Sequence, residues 1–265
     1  MLSFSLSVSG REFIKNSKEP YQIMPVQSGF LTSKIIDSYF KSTAPKDILI
    51  HTSYMCRAFS PIAFSYNSKI QGLIRQYFKF AQHTGASYIL IHGPATPNEF
   101  LNFDLGLKMI DTIKKEFNDK NIKICIEIPS FSKEVLKKET DIYTFIDNYF
   151  SKISKMDFEI VIDTAHTFSN CLFNDEVIKL LKKYDKYCTW IHLNGNLRPP
   201  GSSDMHCPMF DQKNLIPDYE KFCKDIAKLN KKCISETIYK NYDEWCDFAK
   251  KCGFKLITKE AFEHL

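Results

Sequence analysis

The chain has 265 residues, 44% of them hydrophobic and 25% charged, and a formal net charge of +5 at pH 7. This length is enough to bury a large core, and we expect one compact domain over residues 1–265, acting as a monomer. Segment 1–8 lacks the basic start and long apolar run of a signal peptide, and no later stretch has membrane-spanning length, which predicts a soluble, non-secreted protein of the cytoplasm or nucleus.

Nine cysteines are spread along the chain, an odd number without a C-x-x-C pair. A disulfide framework would use an even set at regular spacings, so we expect reduced, buried thiols.

Eight short apolar runs alternate with segments of helical periodicity. The runs fit buried parallel strands at 2–7, 21–26, 47–51, 88–92, 122–128, 159–163, 188–193 and 232–236. Between them, apolar residues recur at helical spacing, as in Leu73, Tyr77, Phe80 and Ala81, in Leu107, Ile110, Ile113 and Phe117, and in Ile142, Phe145, Ile146 and Tyr149.

This alternation predicts an α/β fold, a single (β/α)₈ TIM barrel. An open doubly wound sheet would give a similar pattern. No G-x-G-x-x-G or P-loop sequence follows a strand, however, so the usual reason for choosing the open sheet is missing.

Strands three to eight each end in a residue that can bind a metal ion. These residues are His51, His92, Glu127, Asp163, His192 and Glu236. The carboxyl ends of barrel strands converge on one face, so ligands far apart in sequence become neighbours there. Imidazole and carboxylate groups without thiolates suit zinc, with manganese or iron as possible substitutes, whereas so many histidines suit magnesium poorly.

Three further residues extend this set. His166 follows Asp163 by three positions, and Asp204 and His206 lie in the loop after strand seven. A lone histidine is more often structural, but five histidines near successive strand ends favour a metal role. His83 and His264 lack such a context, and we interpret them as surface residues.

Several of these segments resemble the endonuclease IV family of apurinic/apyrimidinic endonucleases, which are xylose-isomerase-like TIM barrels. The blocks are Ile50-His51-Thr52-Ser53-Tyr54, Ile126-Glu127, Ile162-Asp163-Thr164-Ala165-His166, His192-Leu193-Asn194, Asp204-Met205-His206 and Glu236-Thr237-Ile238. The similarity spans about residues 45 to 250, and all nine ligand positions of the family carry the expected residue type.

The resemblance implies three zinc ions per chain. The first would be held by His51, His92 and Glu127, and the third by His166, Asp204 and His206. The second would be held by Asp163, His192 and Glu236, with Glu127 bridging it to the first.

The implied activity is hydrolysis of the DNA phosphodiester bond 5′ to an abasic site, leaving a 3′-hydroxyl and a 5′-deoxyribose phosphate, in base excision repair. Glu127 and Glu236 are the expected catalytic residues, and double-stranded DNA with abasic sites is the expected partner.

The expected DNA contacts come from loops beside the ligands. Tyr54 and Met55 match the inserted residues of the family's loop after strand three, although both could instead pack under that loop. Arg57 and Arg198 are expected to contact phosphates, with solvated surface charge as the alternative.

The sequence also departs from the family. The loop 25–30 after strand two is short and has no arginine, Ser5 or Ser7 stands where the first strand often has a histidine, and Cys207-Pro208-Met209-Phe210 replaces a Gly-rich tail. These departures concern how DNA is gripped, and they leave the metal ligands in place.

Two other functions compete with the nuclease. A single-metal sugar isomerase or epimerase of the same barrel type would use a quartet like Glu127, Asp163, His192 and Glu236, but it has no use for the five additional ligands. A DNA-binding module without catalysis would be expected to lose ligands, and none is lost.

Overall fold

The computed structural model describes residues 2–6, 21–26, 30–39, 41–42, 46–65, 68–237 and 242–255. Ser7, the central part of the loop after strand two (27–29) and His264 are outside these described residues. Within the described part of the chain, no helix is both long and apolar enough to cross a membrane.

Eight parallel strands close into a barrel, as the sequence predicts. They are β1 (Leu2–Leu6), β2 (Tyr21–Ile23), β3 (Lys46–His51), β4 (Ala86–His92), β5 (Lys123–Glu127), β6 (Glu159–Asp163), β7 (Trp190–His192) and β10 (Lys232–Ser235). Each pairs with its neighbours in chain order, and β10 closes on β1 with Cys233 beside Leu2. A two-residue antiparallel ribbon, β8 (Gly195–Asn196) with β9 (His206–Cys207), rises from the loop after β7.

Helices follow the strands around the outside. They are α1 (Ser33–Asp37), α2 (Lys69–Thr84), α3 (Pro97–Leu101), α4 (Phe103–Phe117), α5 (Lys133–Lys138), α6 (Ile142–Lys155), α7 (Thr164–Ser169), α8 (Asn174–Lys183), α9 (Tyr219–Lys228) and α10 (Tyr242–Cys252), with 3₁₀ turns at Pro61–Phe64 and Asp185–Tyr187. The three periodic segments of the sequence form α2, α4 and α6. α2 shows its local signals clearly, because the Ser68 hydroxyl accepts from the Ile70 amide at its start and Gly85, at φ 73°, ends it.

Side chains along the strands from β2 to β7 and along β10 point alternately into the barrel and out toward the helices. The inward residues at mid-strand form one enclosed cluster of Leu49, Leu90, Cys125, Val161, Trp190 and Ile234. Outward residues such as Ile48 and Ile50 join the larger core under the helices. Two positions after each inward residue comes a strand-end ligand type, so strand periodicity alone turns His51, His92, Glu127, Asp163, His192 and Glu236 into the same mouth of the barrel.

Ion pairs close the opposite, amino-terminal end of the barrel. Lys123 Nζ lies 2.8 Å from Glu159 Oε1, and Lys232 pairs with Asp47. The Lys232 ammonium also lies 5.3 Å from the ring centroid of Tyr88. This end of a TIM barrel serves stability, which leaves the carboxyl end for chemistry.

All nine cysteines are free, and eight are buried, which confirms the prediction of reduced thiols. His83 is half-buried, and its Nε2 donates to the carbonyl of Tyr39 at 2.9 Å. His83 thus lies partly exposed at the surface, as predicted, and its ring ties α2 to the segment after α1.

Candidate metal centre

Nine residues from six strand ends, one helix and the ribbon meet at the mouth of the barrel. Within three groups of these residues, the ligand atoms all lie within 4.8 Å of one another, and each group corresponds to one of the three predicted zinc sets. These groups are His51, His92 and Glu127; Glu127, Asp163, His192 and Glu236; and Asp163, His166 and His206. A fourth overlapping group joins His51, His192 and Glu236.

Glu127 lies at the middle of the assembly. It is fully buried, and its Oε2 is 3.3 Å from His92 Nε2 and 3.8 Å from His51 Nε2. Its Oε1 lies 2.7 Å from His192 Nδ1. The two carboxylate oxygens thus face two different sets, which is the arrangement that a bridging ligand requires.

The Asp163-Thr164-Ala165-His166 spacing has a local cause. Asp163 ends β6 and caps α7, because its Oδ1 accepts from the amides of Ala165 and His166 at 2.7 and 2.9 Å. One helical turn then carries His166 toward the mouth. The other oxygen, Oδ2, stays directed at the site, where it lies 3.7 Å from His192 Nδ1.

The ribbon supplies the remaining two residues. Asp204 Oδ2 lies 3.2 Å from His206 Nε2 and 3.6 Å from His166 Nε2. Asp163 Oδ2 is also within 3.8 Å of His206 Nε2. The third compact group therefore differs by one residue from the set predicted from the sequence: it contains Asp163 in place of Asp204. The reason is that the ribbon folds His206 back over the end of β6. The Asp204 carboxylate lies beside this group.

Backbone carbonyls fix the rings of two histidines. His51 Nδ1 donates to the carbonyl of Thr52 at 2.8 Å, and His166 Nδ1 donates to the carbonyl of Ile128 at 2.9 Å. With the proton held on Nδ1, the lone pair of Nε2 faces the site in both rings. Metal-binding histidines are oriented in this way by the bond of their second nitrogen.

The electrostatics favour the ionised form of three carboxyl groups of the site by lowering the pKa of Glu127, Asp204 and Glu236. Burial disfavours the charge of Glu236, but His192 and His51 outweigh it and lower the pKa of Glu236 to about 2. Burial also opposes the charged form of His192, yet Glu236, Glu127 and Asp163 together raise its pKa to about 9. At His92 burial prevails and lowers the pKa to about 4, so this ring is neutral at pH 7. The site thus concentrates ionised acceptors and histidine nitrogens around one centre.

Two ligand-type atoms in the site have no hydrogen-bond partner among the described residues although they are buried. They are Glu127 Oε2 and His206 Nε2. A buried polar atom without a partner costs free energy, and a cation would relieve that cost at both atoms. The donor set and these two atoms fit a bound divalent metal.

The four predicted DNA contacts lie in loops at this end of the barrel. Tyr54 is 61% exposed, its ring stacks on His92 at 5.3 Å between centroids, and Met55 is 47% exposed. The alternative that both pack under a loop is wrong. The guanidinium of Arg57 pairs with Glu99 at 2.8 Å, and Arg198 is exposed and donates to the Ser203 hydroxyl.

Two polar residues of the site are not among the predicted ones. Asn194 donates to Asp163 Oδ2 at 2.8 Å, and its Oδ1 accepts from the Glu236 amide at 3.0 Å. Gln22 on β2 contacts both His192 and Glu236. A polar residue at an inward position of a buried strand is the one sequence signal that points to Gln22.

A protein-family model described as xylose isomerase-like TIM barrel matches residues 48–252. No curated protein sequence matches the chain. Endonuclease IV from Thermus thermophilus is similar in structure, with a TM-score of 0.66, 14% identity, and coverage of 94% of this chain and 98% of that one.

Two further solved structures are similar. A xylose isomerase domain protein from Planctomyces limnophilus has a TM-score of 0.61 at 12% identity, covering 95% of each chain. A D-tagatose 3-epimerase-like protein has a TM-score of 0.55 at 16% identity, covering 98% of this chain and 97% of that one. At such identities these likenesses show the fold alone.

Proposed function

Since the chain belongs to the xylose isomerase-like TIM barrel family, we propose that it is a zinc-dependent nuclease of the endonuclease IV type. It would cut the DNA backbone 5′ to an abasic site and leave a 3′-hydroxyl and a 5′-deoxyribose phosphate, as in base excision repair. The observation that carries this proposal is the side-by-side arrangement of three ligand groups that share Glu127 and Asp163.

The grouping of the side chains supports the following assignment of ligands. His51, His92 and Glu127 would hold one ion; Glu127, Asp163, His192 and Glu236 a second; and His166, His206, Asp204 and the shared Asp163 a third. Bound ions of this kind supply Lewis-acid activation of a water molecule and neutralise charge on phosphate oxygens.

The chain's own residues prepare that chemistry by holding their positions. Glu127 and Glu236 are the proposed catalytic carboxylates, and Asn194 holds Asp163 and Glu236 through its amide at 2.8 and 3.3 Å. Because His192 and Glu127 are fully buried, the acceptors need no large solvent rearrangement when a substrate approaches.

We propose double-stranded DNA with abasic sites as the partner. Tyr54 and Met55 are exposed next to His92, where an aromatic ring and an apolar side chain would enter a gap left by a missing base. Arg57 keeps 59% of its side chain exposed beside Glu99, and Arg198 lies on the exposed ribbon loop, so both remain proposed phosphate contacts. The enzyme would act as a monomer with one domain over 1–265.

A single-metal sugar isomerase or epimerase is the second candidate. The observation that favours it is the central quartet, Glu127, Asp163, His192 and Glu236, which by itself could hold one divalent ion. His51, His92, His166, Asp204 and His206 would then have no role in the chemistry, which is why we place the nuclease first.

The test compares both substrates on one preparation. Zinc-loaded protein is incubated with a duplex that contains a tetrahydrofuran abasic analogue, with the intact duplex, and with a panel of ketoses and aldoses, each with and without chelator. We expect chelator-sensitive incision of the abasic duplex only, with a 3′-hydroxyl end. An uncut duplex together with an interconverted sugar would replace the nuclease by the isomerase.

A further inference from the structure

Gln22 occupies an inward position of β2 under the candidate metal centre. It pairs in register with Leu49, a member of the cluster inside the barrel, and it is fully buried. It also precedes the segment 48–252 that matches the family model.

The amide of Gln22 can adopt only one orientation. Its Nε2 donates to Glu236 Oε1 at 2.8 Å, and the amide has only one other polar atom, its oxygen. The amide oxygen must therefore face His192 Nε2, which lies 2.7 Å away. An amide oxygen accepts, so a proton of His192 is on Nε2.

That proton fixes what His192 offers to the site. With Nε2 held by Gln22, Nδ1 is the nitrogen that faces the other ligands, at 2.7 Å from Glu127 Oε1, 3.4 Å from Glu236 Oε2 and 3.7 Å from Asp163 Oδ2. An ion bound at Nδ1 would take the place of the proton that this nitrogen shares with Glu127. His51 and His166 are fixed through Nδ1 and present Nε2. His192 is thus turned the opposite way, and a side chain on a different strand turns it.

We propose that Gln22 is a positioning residue of the metal centre: it holds Nε2 of His192, so that Nδ1 faces the site, and it holds Glu236 beside that ring, so that one amide sets two of the four ligands of the central quartet. This inference rests on the proposed metal centre. It does not depend on whether the substrate is DNA or a sugar.

The test replaces Gln22 by methionine, which keeps the length of the side chain and removes the hydrogen bonds to His192 and Glu236. Gln71→Met is the matched control, because Gln71 donates to the carbonyl of Ala63 in the loop after β3 and contacts no candidate ligand. Zinc affinity is measured by competition with a chelating dye, and zinc content by elemental analysis. The visible spectrum of the cobalt-substituted protein reports the ligand field of the site directly.

We expect Gln22→Met to bind its weakest zinc ion roughly 10- to 100-fold less tightly than wild type, with an altered cobalt spectrum. Gln71→Met should match wild type in both readouts. Circular dichroism of the metal-free proteins checks the fold. If Gln22→Met does not fold, Gln22→Asn, which withdraws the amide by one methylene, is measured in the same way.

The outcomes separate this inference from the proposed function. Wild-type zinc affinity and spectrum in the folded Gln22 variant would overturn the positioning role and leave the nuclease proposal standing. A wild-type protein that binds no divalent ion would overturn both. If zinc affinity depends on Gln22 as expected but the wild-type protein does not cut DNA, the nuclease proposal alone is refuted.

Discussion

Glu236→Gln is the substitution that most directly tests the proposed chemistry, and the structure sets its cost. Both oxygens of Glu236 accept from side-chain amides, Oε1 from Gln22 at 2.8 Å and Oε2 from Asn194 at 3.3 Å. The side-chain amide of a glutamine at 236 has one oxygen and one NH₂ group. Either Gln22 or Asn194 would therefore point its own NH₂ group at an NH₂ group and lose its hydrogen bond. The side chain is 13% exposed, which places the stability loss near the lower end of the roughly 1–3 kcal/mol for an unpaired buried group.

The effect on catalysis should be larger than the effect on the fold. A domain with about 5–15 kcal/mol of stability survives such a loss. Removing the charge of Glu236 weakens the central quartet, and a reacting group displaced by about 1 Å loses roughly a hundredfold in rate, or about 2.7 kcal/mol of transition-state stabilisation. We therefore expect a folded protein with incision of the abasic duplex reduced at least about a hundredfold.

Single-turnover cleavage of a tetrahydrofuran-containing duplex measures the rate, and thermal denaturation measures the fold. Glu159→Gln is the matched control, because Glu159 is a buried carboxylate at the amino-terminal end of the barrel, where it binds Lys123 and Thr189. It should lose stability and keep its incision rate. A Glu236→Gln protein that cuts within about tenfold of wild type would refute the proposed role of the central quartet.

Three further outcomes are expected. Elemental analysis of the purified protein should find close to three divalent ions per chain, chiefly zinc, whereas full activity with one ion would favour the isomerase. Tyr54→Ala should weaken binding to abasic duplex more than to intact duplex in a polarisation assay, because the ring gains from the missing stacking partner, and equal losses would remove Tyr54 from the interface. Gly93→Ala should lower the melting temperature and the zinc affinity together. The reason is that a Cβ at this position would lie 1.6 Å from the Tyr149 hydroxyl and 2.9 Å from the carbonyl of Glu127. An unchanged melting temperature would contradict this expectation.

The barrel strands were predictable because their sequence signal is local. A buried parallel strand reads as a short run of branched apolar residues, and period two then places the residue after the run in the mouth. The run at 188–193 shortens to Trp190–His192 in the structure, since the amide of Thr189 donates to the side chain of Glu159 instead of to a neighbouring strand. Strand bounds follow from such partners, which sequence spacing does not specify.

The parts of the site that the sequence does not specify depend on contacts between distant segments. The spacing of residues in the sequence does not indicate the ion pair between Arg57 and Glu99. It also does not indicate the hydrogen bond between Gln22 and His192, which are 170 residues apart. The sharing of Asp163 between two groups has the same origin, since it depends on how the ribbon carries His206 over β6. Residue types at strand ends indicate which side chains meet, and only the tertiary structure shows how they are divided into sets.

The short antiparallel ribbon after β7 also bears on how such sites change over evolutionary time. It carries two residues of the third proposed set, Asp204 and His206, on one excursion of the chain, and none of the eight barrel strands runs through it. Insertions and deletions within one surface loop are far better tolerated than changes in a packed strand. A descendant gene could therefore gain or lose the third proposed ion in a single loop exchange and inherit the ligands on the barrel strands unaltered.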